Sequence, residues 1–264
     1  MIYILFIVLI FTFLISLGVK WEIKLNIVIP WTFLMVFLGC LSLYFLNRIF
    51  PNLSIISQLI IGFGQTSIIT SVVILLFFYR DPERIPPAKE KIILSPADGK
   101  VLYIREINNS VFPFAVKGRE NISLKEFTEE DFIADQGLQI GIEMTYLHVH
   151  VNRTPIKGKI MCIKRIPGHF YSLKKISSLL ENERVFTIIE GEDIKIGIVQ
   201  IASRLVRRIS AFIKEGDSVE IGQRMGVIRF GSQVDILIPY EENLNVLIRP
   251  YDEVKAGISI IATY

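Results

Sequence analysis

Cysteine is scarce: Cys40 lies in an apolar run and Cys162 far from it, which excludes a disulfide framework and a thiolate metal site. Such sparing use suits a reducing compartment. Charge is almost missing from residues 1–79, which hold only Lys20, Glu22, Lys24 and Arg48. A glycine-rich phosphate loop, a dinucleotide-binding turn and a nucleophile elbow are all lacking. The net charge of +3 is too small to point to nucleic acid as a partner. What remains is apolar. A hydrophobic content of 51% is too high for an ordinary soluble globule and rules out disordered and fibrous classes.

The apolar residues are concentrated at the start. Residues 2–19 and 26–46 are long enough to cross a bilayer as helices, and Trp21 and Trp31 suit its interfaces. A secretory signal would need a basic start, a shorter apolar core and a small-residue cleavage site. A third run, 55–78, carries Gln65, Thr66, Ser67, Thr70 and Ser71, which suit either pairing between helices or a re-entrant segment. The expectation is a membrane anchor over 1–79 with two to three transmembrane helices. Arg80, Arg84, Lys89 and Lys91 follow it directly, so the positive-inside bias predicts a multi-pass protein of the cell membrane whose polar domain faces the cytoplasm.

Residues 80–264 have the charge density of a water-soluble domain and enough length for one core. RDPERIPP (80–87) reads as a stiff extended connector because its prolines cannot continue a helix. β-type runs follow at 92–104, 138–152, 158–166, 184–191 and 194–202, with helical periodicity only at 172–182 and 203–213. The predicted fold class is α+β, mainly β, behind the N-terminal transmembrane helical anchor. An internal echo links EGDSVEIGQRMGVI (215–228) to YDEVKAGISIIA (251–262), with Val219 and Gly222 matching Val254 and Gly257. Such hairpins recur in the barrel-sandwich folds of lipoyl and biotinyl carriers. A membrane-tethered carrier module is therefore a rival reading, weakened by the lack of a lysine at an exposed hairpin tip.

Few residues offer chemistry. Asp98 in SPADGKV (95–101) reads by itself as a turn residue, and Ser232 after Gly231 as a loop residue. His148 and His150, two apart, would share one face of a strand and so suit a metal, but the pattern supplies no third ligand and no metal is expected. Arg80 and Arg84 suit either flank charges or contacts to a lipid phosphate.

Taken in order, FFYRDPERIPP (77–87), SPADGKV (95–101), HVHVNRTPIKGKI (148–160), PGHF (167–170), ENER (181–184) and KEGDSVEIGQRMGVIRFGSQVDILIP (214–239) resemble the phosphatidylserine decarboxylase family, most of all its short prokaryotic form. Where many members have Leu-Gly-Ser-Thr, this chain has Phe230-Gly231-Ser232-Gln233; the Gly-Ser pair is intact. The resemblance implies a zymogen that cuts itself between Gly231 and Ser232 into residues 1–231 and 232–264. Ser232 then becomes a pyruvoyl cofactor. The implied base is His150, oriented by Asp98. The implied substrate is a serine phospholipid, decarboxylated to its ethanolamine counterpart and CO2. Phosphatidylserine and, in an archaeal host, archaetidylserine carry the same headgroup. An extra histidine that some members place three positions before the base is Leu147 here, so His148 stands as a shifted candidate for substrate contact. The expected partners are the membrane, the lipid and the two chains of one precursor, with a homo-oligomer left open.

Overall fold

The computed structural model describes residues 2–264 apart from 22, 109–110, 117–118, 131–135, 170, 172–180, 203–208 and 229–231. The chain divides into two units, one comprising Met1–Phe78 with Thr145–Leu147, the other Tyr79–Met144 with His148–Tyr264.

The first unit is built on α1 (Ile2–Lys20), α2 (Leu25–Ile49) and α3 (Ile55–Phe78). All three are long and apolar enough to cross a membrane by length and composition. The polar residues of the third run do not interrupt it: α3 is one continuous helix. Phe6 of α1 is fully buried, and a Cβ on Gly39 or Gly62 would fall 2.3 or 2.9 Å from its ring, so these glycines let the helices close around it. Ser42 donates to Gln65 Oε1 at 2.5 Å, which ties α2 to α3.

The second unit is mostly strand. Along the chain come β1 (Ile92–Leu94), β2 (Gly99–Asn108), β3 (Val111–Val116), β4 (Arg119–Ser123), the short α4 (Leu124–Thr128), β5 (Gln136–Met144), β6 (Val151–Arg153), β7 (Gly158–Ile166), β8 (Arg184–Glu190) and β9 (Lys195–Ile201). After these follow β10 (Ile209–Ala211), β11 (Ser218–Val219), β12 (Arg224–Ile228), β13 (Ser232–Pro239), β14 (Asn245–Val246), β15 (Glu253–Val254) and β16 (Ile260–Thr263). The helix predicted over 172–182 lies almost wholly outside the described residues, as do 203–208. Residues 209–211 of the second predicted helix are strand, because β10 pairs with β12 and buries Ile209.

Most strands belong to one sheet with the order β11-β7-β8-β9-β13-β5-β2-β3-β4, and β15 also pairs with β2. Two smaller sheets, β1-β16-β14 and β10-β12-β6, complete the unit. Strand β13 is interior, hydrogen-bonded to β5 on one side and β9 on the other. Its alternation explains this position: Val234, Ile236 and Ile238 enter the core with Ile140, Ile142, Ile196 and Ile198.

The sequence echo corresponds to a real internal repeat, larger than the pattern suggested. The turn SPADGKV (95–101) is matched by TPIKGKI (154–160), and each packs on one of the echo segments. The Ser95 carbonyl accepts from Gly257 N, and the Thr154 carbonyl from Gly222 N, both at 2.9 Å. Val101 N donates to Asp252 O and Ile160 N to Asp217 O, again both at 2.9 Å. The two turns also bond to each other, Arg153 N to Pro96 O and Leu94 N to Pro155 O. Gly222 and Gly257 both have left-handed φ, 76° and 68°, which the turn requires and a Cβ disfavours.

Candidate active site

Beyond β5 the chain passes through residues 145–150 before returning as β6, and His150 ends that passage. The His150 ring is buried, and Nδ1 donates to the His148 carbonyl at 2.9 Å. A carbonyl only accepts, so this bond fixes the proton on Nδ1 and leaves the lone pair on Nε2. Burial lowers the ring pKa from 6.5 to about 4, while the Asp98 carboxylate pulls the other way. At neutral pH His150 is thus a neutral imidazole with a basic nitrogen.

Asp98 lies in the turn between β1 and β2 and is 5% exposed. Its Oδ1 accepts from Arg84 Nη1 at 2.5 Å and from Ala256 N at 2.8 Å; Oδ2 accepts from Arg84 Nη2 at 2.8 Å. The His150 ring is bonded to the His148 carbonyl, and the charge of Asp98 raises the proton affinity of the ring. Arg84 also donates to Ala256 O, at 2.7 Å. Expected at a membrane flank, Arg84 instead sits inside the β-rich unit. Arg80 is exposed, and its charge contributes to the low proton affinity of His150.

The connector before β1 is a strap and not a spacer. Asp81 accepts from Arg153 at 3.1 Å and from Arg224 at 2.5 Å, and Glu83 accepts from Arg224 at 2.7 Å. A Cβ on Gly222 would come within 2.5 Å of Pro86, so the strap runs close over that turn. His148 is partly exposed, and its Nε2 lies 3.2 Å from Glu253 Oε2.

Ser232 is the first residue of β13 and is paired with Met144. Gly231 lies outside the described residues. At the other end of this short link, Ile228 N donates to the His150 carbonyl at 3.3 Å. Ile228 is thus bonded to the His150 backbone and Ser232 to the end of β5. Among the described residues no group of three His, Cys, Asp or Glu side chains is placed to hold a metal.

Sequence reading missed a buried polar cluster on the far face of β13. Asp235 Oδ2 accepts from Tyr103 at 2.8 Å and from Gln139 at 2.5 Å, and Oδ1 accepts from Gln233 at 2.7 Å. Burial raises the Asp235 pKa to about 6 even though all three bonds favour its anion. The alternation Gln233-Val234-Asp235-Ile236 carried the signal, since an interior strand with polar residues on one face needs polar partners there.

A family model described as phosphatidylserine decarboxylase matches residues 73–262. The chain belongs to the phosphatidylserine decarboxylase family. The match takes in Arg80, Arg84, Asp98, His148, His150 and Ser232. Among relatives of this carboxy-lyase family, a phosphatidylserine decarboxylase proenzyme of Pelodictyon phaeoclathratiforme is 33% identical over 88% of this chain and 96% of its own. A protein of Methanothermobacter thermautotrophicus, provisionally named an archaetidylserine decarboxylase proenzyme, is 33% identical over 78% of this chain and 88% of its own. A phosphatidylserine decarboxylase proenzyme of Desulfotalea psychrophila is 36% identical over 70% and 77%.

Proposed function

We propose that this decarboxylase is made as a precursor that cuts itself between Gly231 and Ser232, turns Ser232 into a pyruvoyl group and decarboxylates phosphatidylserine to phosphatidylethanolamine. The observation that supports the reading is that Ile228 bonds to the His150 backbone and Ser232 pairs with Met144, while burial keeps the His150 ring neutral. His150 Nε2 would take the Ser232 proton as Oγ attacks the Gly231 carbonyl. Breaking the peptide bond then gives an ester, whose elimination leaves dehydroalanine at 232, and hydrolysis of that residue releases ammonia.

The fit of the cofactor is a question of position. A pyruvoyl group must cap a chain that stays bound after the cut, and β13 begins at Ser232 with ladder bonds on both sides. The pyruvoyl carbonyl supplies an electrophile for the substrate amine and a sink for electrons as the carboxylate leaves. His148, 3.2 Å from Glu253, is the candidate to contact the headgroup or to carry a proton. Arg80 is a candidate contact for the lipid phosphate. Arg84, committed to Asp98, serves the base instead.

In this reading residues 1–79 anchor the enzyme by their three helices, residues 80–264 form the catalytic domain on the cytoplasmic side, and the repeated turns are hairpins of the barrel-sandwich kind. Archaetidylserine is the second substrate to test, because one relative carries that lipid in its name. Intact mass of the purified chain decides the processing: fragments 1–231 and 232–264 are expected, the smaller blocked to Edman sequencing. Ser232→Ala should stay full length and inactive, and Ser232→Cys should cut slowly because a thiol also accepts the acyl group. Release of CO2 from micelles of each lipid identifies the substrate. An active, uncut chain would falsify the mechanism.

A further inference from the structure

Tyr251 holds its backbone at φ 78°, in the left-handed region where a bulky residue is rarely found. The internal repeat supplies a comparison within the chain. Tyr251 N donates to the Val101 carbonyl at 2.7 Å; the matching residue of the twin corner, Gly216, donates to the Ile160 carbonyl at 2.8 Å, with φ 87°. The turn therefore asks for glycine, and one of its two copies has tyrosine. Backbone strain of this kind gathers at binding and catalytic sites.

Core packing does not account for the tyrosine, because it is 70% exposed. Lys100 Nζ lies over its ring, 4.8 Å from the centre. Lysine stands at this place in both corners, Lys100 being matched by Lys159, so the ring is what sets this corner apart. Lys100 pairs in register with Glu253, as Lys159 does with Ser218. Among the described residues Lys100 forms no ion pair, and Glu253 Oε2 lies instead 3.2 Å from His148 Nε2. Asp98 stands two residues before Lys100 in the same turn, and the His148 carbonyl accepts from the His150 ring. An ammonium without an acid partner is thus held on an exposed ring, at the corner that carries the proposed chemistry.

We infer that Lys100, its ammonium steadied by the Tyr251 ring, binds the phosphate of the serine phospholipid. The inference rests on the substrate reading above. A serine headgroup offers two anionic groups to a cation, its carboxylate and its phosphate. The carboxylate must leave as neutral CO2, so a cation upon it would favour the ground state and slow the reaction. The phosphodiester keeps its charge from substrate to product. It is joined to the reacting carbon through one methylene and one oxygen, so a headgroup beside the histidines keeps its phosphate close to them. Its two unesterified oxygens can accept from Lys100 and Arg80 together. Tyr251 touches no reacting atom and is a positioning residue: it restricts a lysine side chain that is otherwise flexible.

The test uses the full, processed chain in mixed micelles of neutral detergent and phosphatidylserine. Lys100→Gln should raise KM on the order of ten-fold, as for loss of one charged hydrogen bond, with kcat and processing largely kept. The same change at the twin corner, Lys159→Gln, should leave KM where it was. Tyr251→Gly should raise KM a few-fold without lowering the thermal midpoint, since glycine suits that backbone, and Tyr251→Phe should bring KM back by restoring the ring. Phosphatidylethanolamine separates the two anions, because it keeps the phosphate and lacks the carboxylate. Trapped on the pyruvoyl group with cyanoborohydride and read as a mass shift of the small chain, it should bind Lys100→Gln more weakly by the same factor. An unchanged KM in Lys100→Gln, an equal rise in Lys159→Gln, or undiminished trapping of phosphatidylethanolamine overturns the inference. If Lys100→Gln does not fold, a normal KM in Tyr251→Gly does the same. A wild type that releases CO2 from neither serine lipid overturns the substrate reading itself, and this inference with it.

Discussion

Arg84 grips Asp98 end-on, with two hydrogen bonds of 2.5 and 2.8 Å from Nη1 and Nη2 between side chains only 6% and 7% exposed. The backbone of Ala256 joins both partners, donating to the carboxylate and accepting from the guanidinium. Held in this way, Asp98 raises the proton affinity of the His150 ring through its charge.

Breaking that pair should be costly. Arg84→Ala would leave a buried carboxylate without its counter-ion, an effect of about 3–5 kcal/mol for buried pairs. A lower thermal midpoint and slower processing are expected together, and Arg84→Lys should not restore either, since a single ammonium lacks the fork. Unchanged unfolding and processing would reduce the pair to a surface contact.

Processing should be unusually tolerant of acid. His150 acts as a base only when neutral, and its pKa of about 4 lies below the ordinary 6.5. The rate should therefore hold through pH 6 and 5 and fall with a midpoint near 4. The same depression means that the stability due to neutral His150 is complete above pH 6.5 and is lost as pH falls toward 4. His150→Ala should slow the cut by about a hundred- to ten-thousand-fold. A processing midpoint at 6.5 contradicts the buried base, and a block in His148→Ala with normal cutting of His150→Ala moves the role to His148.

Asp235 should act with the opposite sign. Its pKa is raised from 3.8 to about 6, so the folded state favours the protonated form. The contribution is fully present below pH 3.8 and is lost as pH rises through 6. Against Asp235→Asn, the wild type should lose about 3 kcal/mol across that range, at 1.36 kcal/mol per pKa unit. Thermal unfolding of both proteins at several pH values measures this, and parallel curves would refute it.

Membrane attachment should reside in α1 to α3. The full chain should stay with the membrane fraction after carbonate washing, whereas a chain beginning at Arg80 should be far more soluble. Recovery of the full chain from the aqueous fraction without detergent would count against the anchor.

Much of this was readable from residue order. Long apolar runs became helices, and β-type runs at 92–104, 138–152, 158–166, 184–191 and 194–202 fell on or around observed strands, because both patterns depend on local periodicity. What was not readable depends on contacts far apart in sequence. The Arg84–Asp98 pair, the strap from Asp81 to Arg153 and Arg224, and the Asn152–Gln200 amide pair have no local signature. Residues 209–211 misled because Ile-Ser-Ala has no strong period, and pairing with β12 decided their conformation. Asp98 looked like a turn former and is one; its second task appears only when Arg84 is brought against it.

The repeated turn gives the molecule an internal control. Proline, glycine and lysine occupy matching places in SPADGKV and TPIKGKI, and Gly257 and Gly222 match in the segments that cap them, so these residues are what the architecture demands of any such corner. Where the two corners differ, the architecture is indifferent and something else chose the residue. Asp98 is buried against Arg84 in one; in the other the same place holds Lys157, which reaches out to an exposed ion pair with Glu220. One corner holds a buried ion pair where its twin holds an exposed one, and exchanging their differing residues, one position at a time, would separate what the frame requires from what the proposed chemistry requires within a single polypeptide.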